Sequence, residues 1–181
     1  MRAATLCLAL ILLTAGCAEP ATQVAAQHHH GVAATFSATD AGWLQLMIPM
    51  DEQALKLLAL VPSRSKNPAL VALAAALATA HRAELGRLRD LRTRMALGDT
   101  NPHEGHTMPG MLNADGLQTV ARNSGPAFDA LFRTHLKAHL DQSAQVSRSE
   151  ETAGGHPSAR TLAAALTKSR ADQLTALGRL D

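Results

Sequence analysis

Between residues 40 and 180 the chain carries four stretches in which apolar side chains recur every three or four positions. Trp43, Met47, Met50, Ala54, Leu57 and Val61 form the first line, and Leu70, Ala74, Leu77, His81, Glu84, Leu88, Leu91 and Met95 the second. Phe128, Phe132, His135, His139, Gln142 and Val146 make the third, and Ala159, Ala163, Leu166, Arg170, Gln173, Leu177 and Leu180 the fourth. That stepping places each set on one face of an α-helix. It predicts helices over 40–61, 68–97, 114–150 and 157–180. Pro62 is expected to stop the first. Asn67 caps the second, with Pro68 at its first helical position, and Gly98 ends it. Gly125-Pro126 is able to break the third.

The stretches are also related in pairs. Residues 40–91 align with 129–180 without a gap, Asp40-Ala41-x-Trp43 matching Asp129-Ala130-x-Phe132 and Leu73-Ala74-Ala75-Ala76-Leu77 matching Leu162-Ala163-Ala164-Ala165-Leu166. Each copy reads as a helical hairpin. Two hairpins close four helices around one core, which predicts an all-α four-helix bundle over 39–181, with repeats at 40–97 and 129–181.

Composition agrees. The chain is 46% hydrophobic but only 2% aromatic, with no Tyr, and Ala and Leu are the strongest helix formers. A net charge of +2 gives no electrostatic footprint for nucleic acid. The N-terminus reads as a targeting segment: Arg2, an apolar run over 6–13 too short to span a bilayer, then Thr14-Ala15-Gly16-Cys17. The last four resemble a bacterial lipobox, which implies a signal peptide over 1–17 and acylation of Cys17. The expected location is the extracytoplasmic face of the cell membrane, or secreted if Cys17 carries no lipid. Residues 18–38, including His28, His29 and His30, read as a flexible tether.

Polar side chains interrupt the apolar lines at matching heights. Met50 corresponds to His139, Gln53 to Gln142, His81 to Arg170 and Glu84 to Gln173. Two arrangements satisfy such a layer. In one, Glu84 pairs with Arg170, glutamines bridge, and the histidines stay neutral, fixing helix register without a ligand. In the other, His81, Glu84, His135 and His139 converge on a metal ion, with Met47, Met50 and Asp51 of the first helix beside them. A second candidate set lies in the loop over 99–113, where His103, His106, Met108 and Met111 mix soft thioethers with imidazoles. That chemistry suits copper. Because the loop follows Gly98, it is expected at one end of the bundle. The alternative is that both methionines merely plug that end.

The stretches from Trp43 to Ala54, Leu73 to Leu88, His106 to Met111 and Phe128 to Phe132 together resemble the Domain of Unknown Function 305 family. The resemblance implies a secreted or lipid-anchored, ferritin-like four-helix bundle associated with copper. The family's paired histidines stand here as Met50-Asp51 and His139-Leu140, and its second-helix glutamine as His81 and Arg170. The chain shows no Ser-His-Asp order, Gly-rich phosphate loop or CxxC motif. It offers too few carboxylates for a di-iron centre. The sequence therefore points to metal binding, with copper sequestration or buffering as the expected role. The alternative is a non-catalytic structural module whose polar core satisfies itself.

Overall fold

A computed structural model describes residues 35–106 and 108–180. The signal segment, Cys17 and the histidines at 28–30 lie outside the described residues. Five helices follow in order: α1 (Ala38–Arg64), α2 (Pro68–Arg94), α3 (Ala114–Ala121), α4 (Gly125–Ala153) and α5 (Pro157–Gly178). No strand occurs among the described residues. The two hairpins, α1 with α2 and α4 with α5, pack side by side through α1 and α4, while α2 and α5 close the ring more lightly. The third predicted helix is split at Gly125-Pro126, where Gly125 takes a φ of +60°.

A capping side chain fixes the start of every helix but α4. Ser37 Oγ accepts from Asp40 N at 3.2 Å while the Asp40 carboxylate accepts from the Ser37 backbone, a reciprocal pair that opens α1. Asn67 Oδ1 accepts from Ala69 N and Leu70 N at 3.0 and 3.2 Å, and Asn113 Oδ1 from Gly116 N at 2.9 Å. The start of α1 is further clasped to the α4–α5 turn. Phe36 stacks on the His156 ring with centroids 3.8 Å apart, Gly155 N donates to Ser37 Oγ, and His156 N donates to Asp40 Oδ1 at 3.1 Å.

Pro62 does not stop α1, which runs to Arg64 with Pro49 and Pro62 inside it. Proline deletes the bond to the preceding turn but its own φ is helical. The chain can thus continue, and Ser65 N closes the last turn on Val61 O at 2.9 Å.

The core has two apolar halves. One gathers Leu57, Val61, Leu70, Leu77, Phe128, Phe132, Leu136 and Leu177; the other gathers Trp43, Leu44, Met47, Leu88, Leu91 and Leu166. Along every long helix the residues between these halves are polar and buried: Asp51 on α1, His81 and Glu84 on α2, His139 and Ser143 on α4, Arg170 and Gln173 on α5. No described helix is long and apolar enough to cross a membrane.

Candidate metal centre

Arg170, fully buried, is the hub of this layer. Its Nη1 donates to Glu84 Oε2 at 2.6 Å, its Nη2 to Asp51 Oδ1 at 2.8 Å, and its Nε to Ser143 Oγ at 2.8 Å. Gln173 Oε1 accepts from Nη1 at 3.2 Å. The Ser169 hydroxyl donates to Glu84 Oε1 at 2.7 Å and accepts from Gln173 Nε2 at 3.0 Å. Both Glu84 oxygens are thus taken by donors. This is the ion pair of the first arrangement anticipated above.

The other side of the layer is different. His81 Nδ1 lies 3.0 Å from Asp51 Oδ1, and His139 Nε2 lies 3.8 Å from the same oxygen. The two rings are tilted, with centroids 5.2 Å apart. One ligand atom from each of Asp51, His81 and His139 falls within 4.8 Å of the others, close enough to hold one ion. Asp51 Oδ2, His81 Nε2 and His139 Nε2 are buried without a hydrogen-bond partner among the described residues. Buried polar atoms are ordinarily satisfied, so an orphaned atom on each of three neighbouring residues fits a group that binds an electrophile.

Electrostatics keep the rings available. Burial, then the charge of Arg170, pulls His81 down to about 3 against the opposing pull of Glu84. Burial, then Arg170, then His81 holds His139 well below its ordinary value. Both imidazoles are therefore neutral at pH 7, the state that binds metal. Burial pushes the Asp51 carboxyl up, and Arg170 works against that shift.

The remaining candidates lie elsewhere. His135 is half-buried and is not part of the three-donor group. Met47 and Met50 are buried in the apolar half around Trp43, where the Ser147 hydroxyl points at the Met47 sulfur at 3.9 Å. His106 is exposed, His103 and Met108 are half-buried, and Met111 packs against that same apolar half. The loop does not stay at the bundle end. A β-carbon on Gly110 would lie 2.5 Å from Gln142 Cβ and 2.8 Å from Ala138 O, so the loop backbone rests on the middle of α4. The link from α2 to α3 is long enough to fold back, and a residue without a side chain allows the approach.

The polar positions named from the sequence do not include Ser143 or Ser169. A serine in an apolar line, four positions after His139, was the available signal for Ser143.

Two solved structures share this fold. A DUF305 protein of Streptomyces coelicolor, inferred to be secreted, superposes with a TM-score of 0.70 at 17% identity, covering 78% of this chain and 91% of that one. A DUF305 fragment from Deinococcus radiodurans gives 0.72 at 14% identity, covering 81% and 97%. No curated protein matches the sequence. The profile of the domain of unknown function DUF305 matches residues 40–180, and the chain belongs to that family.

Proposed function

We propose that this protein is an extracytoplasmic metal-binding module, anchored through a lipid on Cys17, that buffers or sequesters copper. The observation that carries the reading is that Asp51, His81 and His139 lie close enough to share one ion, each with a buried polar atom that has no partner among the described residues, beside a fully engaged Arg170–Glu84 pair. The layer holds two carboxylates and one guanidinium, and its imidazoles are neutral. Its formal charge of minus one is matched by a monovalent ion, and imidazole accepts Cu(I). A divalent ion would leave a net positive charge in a dry interior, which is costly. Met108 and Met111 supply soft donors in the loop that rests on the same part of α4. Burial on all sides leaves no open position for a substrate, which favours storage over catalysis.

The Arg170–Glu84–Ser169–Gln173 ring supports a second reading, a scaffold whose core is internally satisfied. Untagged protein titrated with Cu(I) and Zn(II) against a chromophoric chelator separates the two. We expect one buried Cu(I) per chain, with affinity reduced roughly a hundredfold or more in His81→Ala and His139→Ala. Unchanged affinity in both variants, or no uptake by the parent, would leave the scaffold reading standing.

A further inference from the structure

We propose that Arg170 is the specificity-determining residue of the buried donor group, a fixed internal cation that sets its preference for a monovalent over a divalent ion. This rests on the metal reading above and adds which side chain decides the ion's charge.

The repeat puts Arg170 where the first hairpin has His81. Both residues reach the same atom: His81 Nδ1 lies 3.0 Å from Asp51 Oδ1, and Arg170 Nη2 donates to that oxygen at 2.8 Å. Nη2 and Nδ1 are themselves 3.5 Å apart. One hairpin thus brings a ligand nitrogen to the carboxylate, and the other brings a charge. The guanidinium touches two of the three residues that could share an ion. It is also pinned there, fully buried, with Nε donating to Ser143 Oγ and Nη1 to Gln173 Oε1.

Arg170 restricts the site in two ways. It withholds a ligand: Glu84 Oε2 is only 3.7 Å from His81 Nδ1, yet Arg170 Nη1 donates to it at 2.6 Å and Ser169 Oγ donates to Oε1 at 2.7 Å. Released, Glu84 would complete a set of two carboxylates and two imidazoles, which suits Zn(II). It also adds a positive charge that does not titrate, since a guanidinium keeps its proton in a protein. At an effective dielectric of about 20 and a separation of about 4 Å, each further unit of charge on the ion costs roughly a thousandfold in affinity. A monovalent ion is penalised least. Asp51 can still serve it, because Arg170 takes Oδ1 and Oδ2 has no partner among the described residues.

Two variants separate charge from shape. Arg170→Gln removes the charge and releases Glu84, taking the layer from minus one to minus two. The double variant Arg170→Gln/Glu84→Gln also lacks the arginine but returns the layer to minus one. Cu(I) and Zn(II) affinities of untagged parent and variants would be measured by competition with a chelator. Each ion is compared with itself across variants, so the softness of Cu(I) cancels. The ratio of Zn(II) to Cu(I) affinity should rise roughly a hundredfold or more in Arg170→Gln. It should fall back toward the parent's in the double variant. An unchanged ratio in Arg170→Gln would overturn the proposal and leave the metal reading intact. A ratio raised equally in both variants would overturn it as well, assigning the preference to the arginine's bulk and not its charge. A parent that takes up neither ion would overturn both readings. Should Arg170→Gln fold only with metal, its urea midpoint against ion concentration reports the same ratio, because an ion that binds the folded chain stabilises it. A Zn(II) response no larger, relative to Cu(I), than the parent's would then overturn the role given to Arg170.

Discussion

Two pairs of carboxylates are buried in this bundle, and they are neutralised by different means. In the central layer Asp51 and Glu84 share the guanidinium of Arg170. Near the start of α1, Asp40 and Glu150 are both buried, with no cation bonded to either among the described residues. Asp40 accepts from the Ser37 backbone and hydroxyl and from His156 N, whereas neither Glu150 oxygen finds a donor among the described residues. There burial and the neighbouring Asp40 carboxylate favour a proton on Glu150, where the central layer uses an arginine. Burial, then the hydrogen bond to Asp40 and its repulsion, pushes Glu150 up to about 8, with Arg160 pulling weakly the other way. Burial alone would raise Asp40, but hydrogen bonds from Glu150, Ser37 and His156 outweigh it and hold that carboxyl at about 2. An arginine stays charged at any physiological pH, whereas a proton comes and goes. One pair is thus a constant of the fold and the other a variable.

The largest way to break this contrast is Arg170→Ala. Removing the hub leaves two carboxylates in a dry core and should cost about 3–5 kcal/mol of stability in urea unfolding. A loss below about 1 kcal/mol would mean that the layer has another source of neutralisation. If copper binds, it should recover more stability in this variant than in the parent, because it supplies the missing positive charge.

Changing pH tests the outer pair. The folded-state value of Glu150, about 8, lies above its ordinary 4.5, so between these values the folded chain holds a proton that the unfolded chain has lost. That contribution is fully present below pH 4.5 and disappears as pH rises through 8. The melting temperature of the parent should therefore fall from pH 5 to pH 9. Glu150→Gln keeps a donor for Asp40 without a titrating proton and should flatten that slope. A slope of equal size in Glu150→Gln would assign it to other groups. Asp40 has the opposite sign: its contribution is present above pH 3.8 and is lost as pH falls through about 2.

Ser169→Ala is the gentlest probe. It removes one donor from Glu84 Oε1 but leaves Arg170 on Oε2, so a loss of about 1 kcal/mol is expected in urea unfolding. A loss approaching that of Arg170→Ala would show that the layer stands or falls as a unit.

The fold was legible because its signal is periodic. Every position in the predicted first line, from Trp43 to Val61, is buried, and so are Ala159 through Leu177 in the fourth. On α4 the predicted line shares Phe128, Phe132 and His139 with the buried face but passes through the half-buried His135, Gln142 and Val146, where the chain buries Leu136, Ser143, Ser147 and Glu150. Steps of three and four both satisfy a helix, and a histidine attracted attention that a serine did not. Small serines are what that face needs, since Ser143 must admit the Arg170 side chain. His139, His81 and Asp51 could be named from the sequence because they interrupt, or stand beside, an apolar line. The approach of Gly110 to α4 could not be named: a loop folded back onto a distant helix leaves no trace in periodicity. Glu150, near the end of an amphipathic helix, reads as surface and is 1% exposed.

The clasp formed by Phe36, Ser37 and Asp40 against Gly155 and His156 also has a mechanical meaning. Tension arriving along the backbone at residue 35 meets the stacked rings and the cap of α1 before it reaches the body of that helix. The load then passes into the turn between α4 and α5, so a pull on one hairpin is borne by both. Helix α1 cannot be peeled away residue by residue until the stack and its hydrogen bonds give way together. Under the lipid anchoring proposed above, the point of suspension would also be the fastening that holds the two hairpins against the pull.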